Sequence, residues 1–158
     1  MTAMCKVVQA IPDGKDVAAL REKMGLTQAQ LAELFGVSPR QWQRKESMES
    51  TLSNNTAPMK VGEANFLLLL ADAHPHCRLK AYRAEDVIRC APRDAEEVRQ
   101  LRIKSGMTQK DIAALMGYTL QAWKSKENPH NAGTLKPGEY NFMLLLTDTH
   151  PALTLIEK

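Results

Sequence analysis

The sequence has little cysteine, no long apolar run and no marked excess of either charge. Cys5, Cys77 and Cys90 are scattered through 158 residues and odd in number, so no disulfide framework is implied and reduced thiols are expected. The longest apolar run is Phe66 to Ala71, far short of the roughly 18 residues a membrane span needs. Met1 to Ala10 holds no apolar stretch of signal-peptide length. A chain that stays in the cytosol and keeps away from membranes is expected. The net charge is +3 and the pI about 8.8. Residues 1–80 carry 10 basic and 8 acidic side chains, and residues 81–158 carry 11 and 10. Neither half has a basic tail, so any affinity for nucleic acid must come from local arrangement. A nucleophile elbow and a phosphate-cradling glycine loop are both missing, so catalysis and cofactor use are not expected. What remains is an ordinary folded composition, 44% hydrophobic and 25% charged, long enough for one domain or two small ones.

The chain repeats itself. Val17-x-x-Leu20-Arg21-x-Lys23-x-Gly25-x-Thr27-Gln28 returns as Val98-x-x-Leu101-Arg102-x-Lys104-x-Gly106-x-Thr108-Gln109, 81 residues on. The same offset holds through Gly36/Gly117, Trp42/Trp123, Lys45/Lys126 and Glu46/Glu127. A second block returns 76 residues on, pairing Gly62/Gly138, Glu63/Glu139, Asn65/Asn141, Phe66/Phe142 and His74-Pro75/His150-Pro151. The offsets differ because Ser47–Pro58 is longer than Asn128–Thr134; both read as surface loops, where length changes are tolerated. Such self-similarity is the mark of a duplicated unit, and we place the units at 1–80 and 81–158. Short apolar alternation at Lys6–Val8, Asp86–Ile88, Cys77–Leu79 and Leu153–Leu155 predicts small strands at the repeat ends.

Within a unit the helix signals are dense. Apolar residues at 17, 20 and 24 predict a helix over 16–24, stopped by Gly25. Thr27 caps a second helix, with Gln30 completing a capping box; Thr108 and Asp111 do the same in the second unit. Gly36 ends that helix. Ser38 caps the next, and Pro39 occupies its first position, where a missing N–H costs nothing. Trp42 is its apolar anchor. Two short helices joined by a tight turn make a helix-turn-helix, leaving Arg40, Gln43, Arg44 and Gln41 outward. In the second unit Leu120, Gln121, Lys124 and Ser125 surround Trp123.

Leu20-Arg21-x-x-x-Gly25-Leu26-Thr27-Gln28-x-x-Leu31-Ala32-x-x-Phe35-Gly36-Val37-Ser38 resembles the core motif of the Cro-type (XRE-like) helix-turn-helix family of phage and bacterial repressors, and Leu101-Arg102 through Gly117-Tyr118-Thr119 repeats it. The resemblance covers about 16–46 and 97–127. It implies a mainly α fold of two tandem XRE-like repeats, which we expect in a pseudo-twofold arrangement. It further implies that Gln28 and Gln109 touch the DNA backbone, and that helices 38–46 and 119–127 enter the major groove. The candidate DNA contacts are then Gln28, Ser38, Arg40, Gln41, Gln43 and Arg44, with Gln109, Thr119, Gln121, Lys124 and Ser125 in the second unit. Arg21 with Glu46, and Arg102 with Glu127, match a family pair that ties the first helix to the end of the third, and are read as structural. Lys45 and Lys126 stand where the family has an apolar residue, so their stems are expected to lie over the core.

Arginine suits guanine because its planar fork matches O6 and N7, and glutamine can do the same for adenine. A function follows as an expectation: a sequence-specific double-stranded DNA-binding regulator, a repressor of bacterial or phage type. The alternative is a protein-interaction module, such as an antitoxin or a regulator's partner, that docks through one or both helix-turn-helix units. His74, His76, Cys77 and Cys90 could be read as metal ligands. The second unit keeps only His150-Pro151, however, and a His-Pro after a helix reads first as a terminator; no metal is expected. The runs at 66–71 and 142–146 are apolar on almost every face and must be covered all round. Their partner is the sister unit or, alternatively, a second chain in a homodimer through 63–73 and 139–149.

Overall fold

The computed structural model describes residues 6–47, 59–130 and 135–158. The segments read as surface loops lie mostly outside these residues. Helix α1 (Gly14–Met24) is followed by α2 (Gln28–Leu34), whose Thr27 hydroxyl accepts the Gln30 N–H while the Gln30 side chain accepts the Thr27 N–H. Helix α3 (Pro39–Ser47) starts the same way. Ser38 Oγ accepts the Gln41 N–H at 3.1 Å and Gln41 Oε1 accepts the Ser38 N–H at 2.8 Å. Each cap satisfies an amide that the first turn leaves orphaned. Helix α4 (Val61–Leu70) and strand β1 (Cys77–Lys80) follow. After a 3₁₀ turn at Ala84–Asp86 the order repeats as α5 (Ala95–Ser105), α6 (Gln109–Met116), α7 (Leu120–Lys126), α8 (Pro137–Leu146) and β2 (Thr154–Glu157). No helix among the described residues is long and apolar enough to cross a membrane.

The core is built from the inward stripes of these helices and the two tryptophans. Trp42 and Trp123 are fully buried. Trp42 lies 5.0 Å from the Phe35 ring, which in turn lies 5.8 Å from Phe66 on α4. Helices α4 and α8 carry almost no polar face, and they pack on each other. Of α4 only Leu68 escapes full burial, and of α8 only Tyr140. Each large side chain so buried contributes about 1.5–3 kcal/mol. Among the described residues each of the two helices thus has the other as its partner.

The halves meet closely at their glycines. A Cβ on Gly36 would lie 2.7 Å from Pro137 Cγ and 2.7 Å from the Arg89 carbonyl, and one on Gly117 would lie 2.3 Å from Val61 Cγ2. Both glycines have positive φ, +66° and +76°, so conformation and space each require glycine. Strands β1 and β2 pair antiparallel, with Leu79 opposite Leu155 and Arg78 opposite Ile156.

Two sequence readings are corrected. The segments at 6–8 and 86–88 form no strand. Their backbones are held by amide side chains instead: Asn65 accepts the Val8 N–H at 2.9 Å and donates to the Val8 carbonyl at 2.8 Å. Asn141 treats Ile88 in the same way, at 3.0 and 2.6 Å. A carboxamide offers one acceptor and one donor side by side, as a peptide unit does, so a single Asn takes the place of a neighbouring strand. The second correction concerns Cys77, which is buried and disulfide-bonded, whereas Cys90 is free and exposed. Folding, not spacing in the sequence, decides which sulfurs meet.

Candidate nucleic-acid interface

The interface starts from helix geometry. Residues two apart on a helix differ by roughly 200°, so Arg40 and Arg44 both lie opposite Trp42, and Gln41 and Gln43 lie on the flanks. Ser38, Arg40, Gln41, Gln43 and Arg44 are all exposed. Among the described residues neither arginine has a carboxylate partner. In the second half Thr119, Gln121 and Lys124 are exposed and Ser125 is half-buried. Leu120 is 41% exposed, one of two large hydrophobic side chains on the surface among the described residues.

What fixes α3 is a carboxylate hub. Glu46 accepts from Arg21 Nε at 2.6 Å, from Trp42 Nε1 at 2.6 Å and from Gln28 Nε2 at 2.9 Å. Arg21 also reaches the Leu26 carbonyl at 2.9 Å. The first helix, the start of the second and the end of the third are thereby bound to one side chain. Burial pushes the Glu46 carboxyl up, but the hydrogen bonds from Arg21, Gln28 and Trp42 outweigh it and hold the group below the usual carboxylate range. The second half has the same hub. Glu127 accepts from Arg102 Nε at 2.6 Å, from Trp123 Nε1 at 2.6 Å and from Gln109 Nε2 at 3.0 Å. Its carboxyl is lowered against burial by the corresponding bonds. Charge-assisted bonds of this kind are the strong ones. Gln28 and Gln109, expected on the DNA backbone, each spend an amide hydrogen on the hub.

Lys45 and Lys126 do more than cover the core with their stems. Lys45 Nζ is 3.7 Å from Glu63 Oε1, and Lys126 Nζ lies 5.3 Å above the Tyr118 ring. Behind them is a buried acid pair that sequence reasoning passed over. Glu63 and Glu139 are almost wholly buried. Tyr118 donates to Glu139 Oε2 at 2.5 Å, whereas Glu63 Oε2 has no hydrogen-bond partner. Burial first, and then the charge of Glu63, push the Glu139 carboxyl up. The signal was present in the sequence, as an acid repeated near the start of an apolar helix.

The histidines of the His-Pro pairs do more than end a helix. His74 Nε2 is 2.9 Å from Asn65 Oδ1, and its Nδ1 accepts the N–H groups of His76 and Cys77 at 3.2 and 3.3 Å. His150 does the same with Asn141, Ala152 and Leu153. Both rings serve as brackets within the fold. Among the described residues no three His, Cys, Asp or Glu side chains converge as metal ligands.

The arrangement is a short, exposed, cationic helix seated on a rigid hub, with the helix before it joined by a tight turn. Residues 10–55 match the antitoxin Xre-like helix-turn-helix domain. The match takes in α1, α2 and α3, fewer than a third of the chain's residues. No curated protein and no solved structure matches the chain. The helix-turn-helix of the first half is thus supported by both its geometry and the matched domain.

Proposed function

We propose that the chain is a double-stranded DNA-binding regulator made of two tandem helix-turn-helix units, 1–80 and 81–158, related by a pseudo-twofold axis. Its reading helices are α3 and α7, set in the major groove of the two halves of one site. The observation that carries this reading is the exposed Arg40–Arg44 face, aimed away from Trp42 and locked by the Glu46 hub. Support for the duplication comes from the second hub, from the reciprocal seating of Gly36 on Pro137 and Gly117 on Val61, and from the Leu79–Leu155 pair. Leu79 and Leu155 are 76 residues apart, as Gly62 and Gly138 are. Ser38, Gln28 and Lys124 serve phosphates, and phosphate contact makes the affinity salt-sensitive.

A docking role is the second reading. The matched domain is described as an antitoxin's, and Leu120 places an exposed apolar side chain on α7, where a protein partner would bury it. Electrophoretic shift on a panel of duplexes at low salt separates the two. Binding that weakens steeply with salt supports the regulator; no shift with any duplex refutes it and leaves docking.

A further inference from the structure

We propose that base reading is one-sided: α3 selects guanines through Arg40 and Arg44, while α7 anchors the other half of the site through phosphates. This rests on the DNA-binding reading above. The two helices hang on matching hubs, whose corresponding distances agree within about 0.2 Å from one half to the other. Positions 81 apart therefore occupy the same place on their helices, and only the side chains differ. Opposite the buried indole, α3 carries Arg40 and Arg44, and α7 carries Gln121 and Ser125. On the flanks Gln43 becomes Lys124 and Gln41 becomes Ala122.

These exchanges remove both guanidinium forks from α7 and leave a single amide, Gln121. Two guanidinium groups one helical turn apart can each grip O6 and N7 of a guanine. Ser125 is short and half-buried, so it lacks that reach. Lys124 is a compact point charge suited to a phosphate oxygen and indifferent to the base beside it. Gln121 is the one exposed amide left opposite Trp123, without a partner one turn on. Specificity accordingly belongs to α3, and α7 contributes affinity and register.

The test uses the full chain. Sites are selected from random duplexes, and wild type, R40A, R44A, Q121A and K124A are titrated against a selected and a scrambled duplex at several salt concentrations. A thermal melt of each variant checks that folding is intact. One conserved guanine-containing half-site is expected, and a duplex carrying that half-site on both sides should bind no tighter than about twofold over the selected one. R40A and R44A should each cut the preference for selected over scrambled duplex by about ten- to a hundredfold, and Q121A should change it by less than about twofold. K124A should weaken both duplexes alike and lower the salt slope by about 1. Two conserved half-sites, or a loss in Q121A as large as in R40A, would overturn the one-sided reading alone. Failure to bind any duplex would overturn the DNA-binding reading together with it.

Discussion

Acidification should loosen this fold through His74. The ring is fully buried. Asn65 uses its amide hydrogens on the carbonyls of Val8 and Val61, so its Oδ1 must accept from His74 Nε2. On the other side Nδ1 accepts two backbone N–H groups. The ring is therefore neutral with its hydrogen on Nε2, and a proton on Nδ1 would face two donors. Burial, with the charges of His76 and Lys158, pushes its pKa from 6.5 down to about 4. The unfolded chain then binds the proton that the folded chain refuses, so stability is complete above the unfolded value and declines as pH falls below about 6.5. A full shift of about 2.5 units is worth about 3.4 kcal/mol, of which about 2.5 kcal/mol is lost by pH 4.5. Glu139 acts in the opposite direction over part of this range, so the measurement must be differential. Urea unfolding of wild type and H74Q at pH 7.5, 6.5, 5.5 and 4.5 gives a stability difference from which Glu139 cancels. That difference should shrink by about 2.5 kcal/mol between the extremes. A flat difference, or a His74 ring signal titrating near pH 6.5 in NMR, would refute the bracket.

Two other predictions concern stability. Gly25 has φ +72° but nothing within 4 Å of a would-be Cβ, whereas Gly36 combines φ +66° with backbone and ring atoms at 2.7 Å. Gly25→Ala should cost about 1 kcal/mol and Gly36→Ala about 2–4 kcal/mol in denaturant unfolding; equal costs would mean that the close approach to Pro137 is absent. For Glu139, whose carboxyl is raised in the folded chain, stability is complete below the unfolded value near 4.5 and is lost as pH rises through the folded value. In Glu139→Gln the amide oxygen can still accept the Lys136 N–H, while the amide NH2 turns to the Tyr118 hydroxyl, which then accepts. It should therefore be more stable than wild type at pH 8 and lose that advantage towards pH 4.5.

The parts of this fold legible in the sequence are those decided within a few residues. Thr27 with Gln30, Thr108 with Asp111 and Ser38 before Pro39 announce helix starts because a cap is a local bond. Trp42 and Trp123 announce an inward face because helical period is local too. The face opposite them, with Arg40 and Arg44, follows from the same arithmetic. The rest depends on chain segments far apart in sequence. Asn65 looks like a polar interruption of an apolar helix until Val8, 57 residues away, is seen between its donor and acceptor. His74 reads as a helix terminator until that same Asn is found beneath it. Lys45 looks like a misplaced charge until Glu63 is found close to its ammonium group.

The reciprocal burial of α4 and α8 bears on how the protein responds to dilution. Two-headed readers assembled from separate subunits lose one head whenever dilution favours monomers. On the proposed reading both DNA-contacting helices are carried by one polypeptide whose α4 and α8 pack on each other, so their pairing would be indifferent to how much protein is present. Occupancy of a target should accordingly rise hyperbolically with concentration, without the steepening that subunit association imposes, and a chain cut between the halves would leave each with a bare greasy helix instead of a working module.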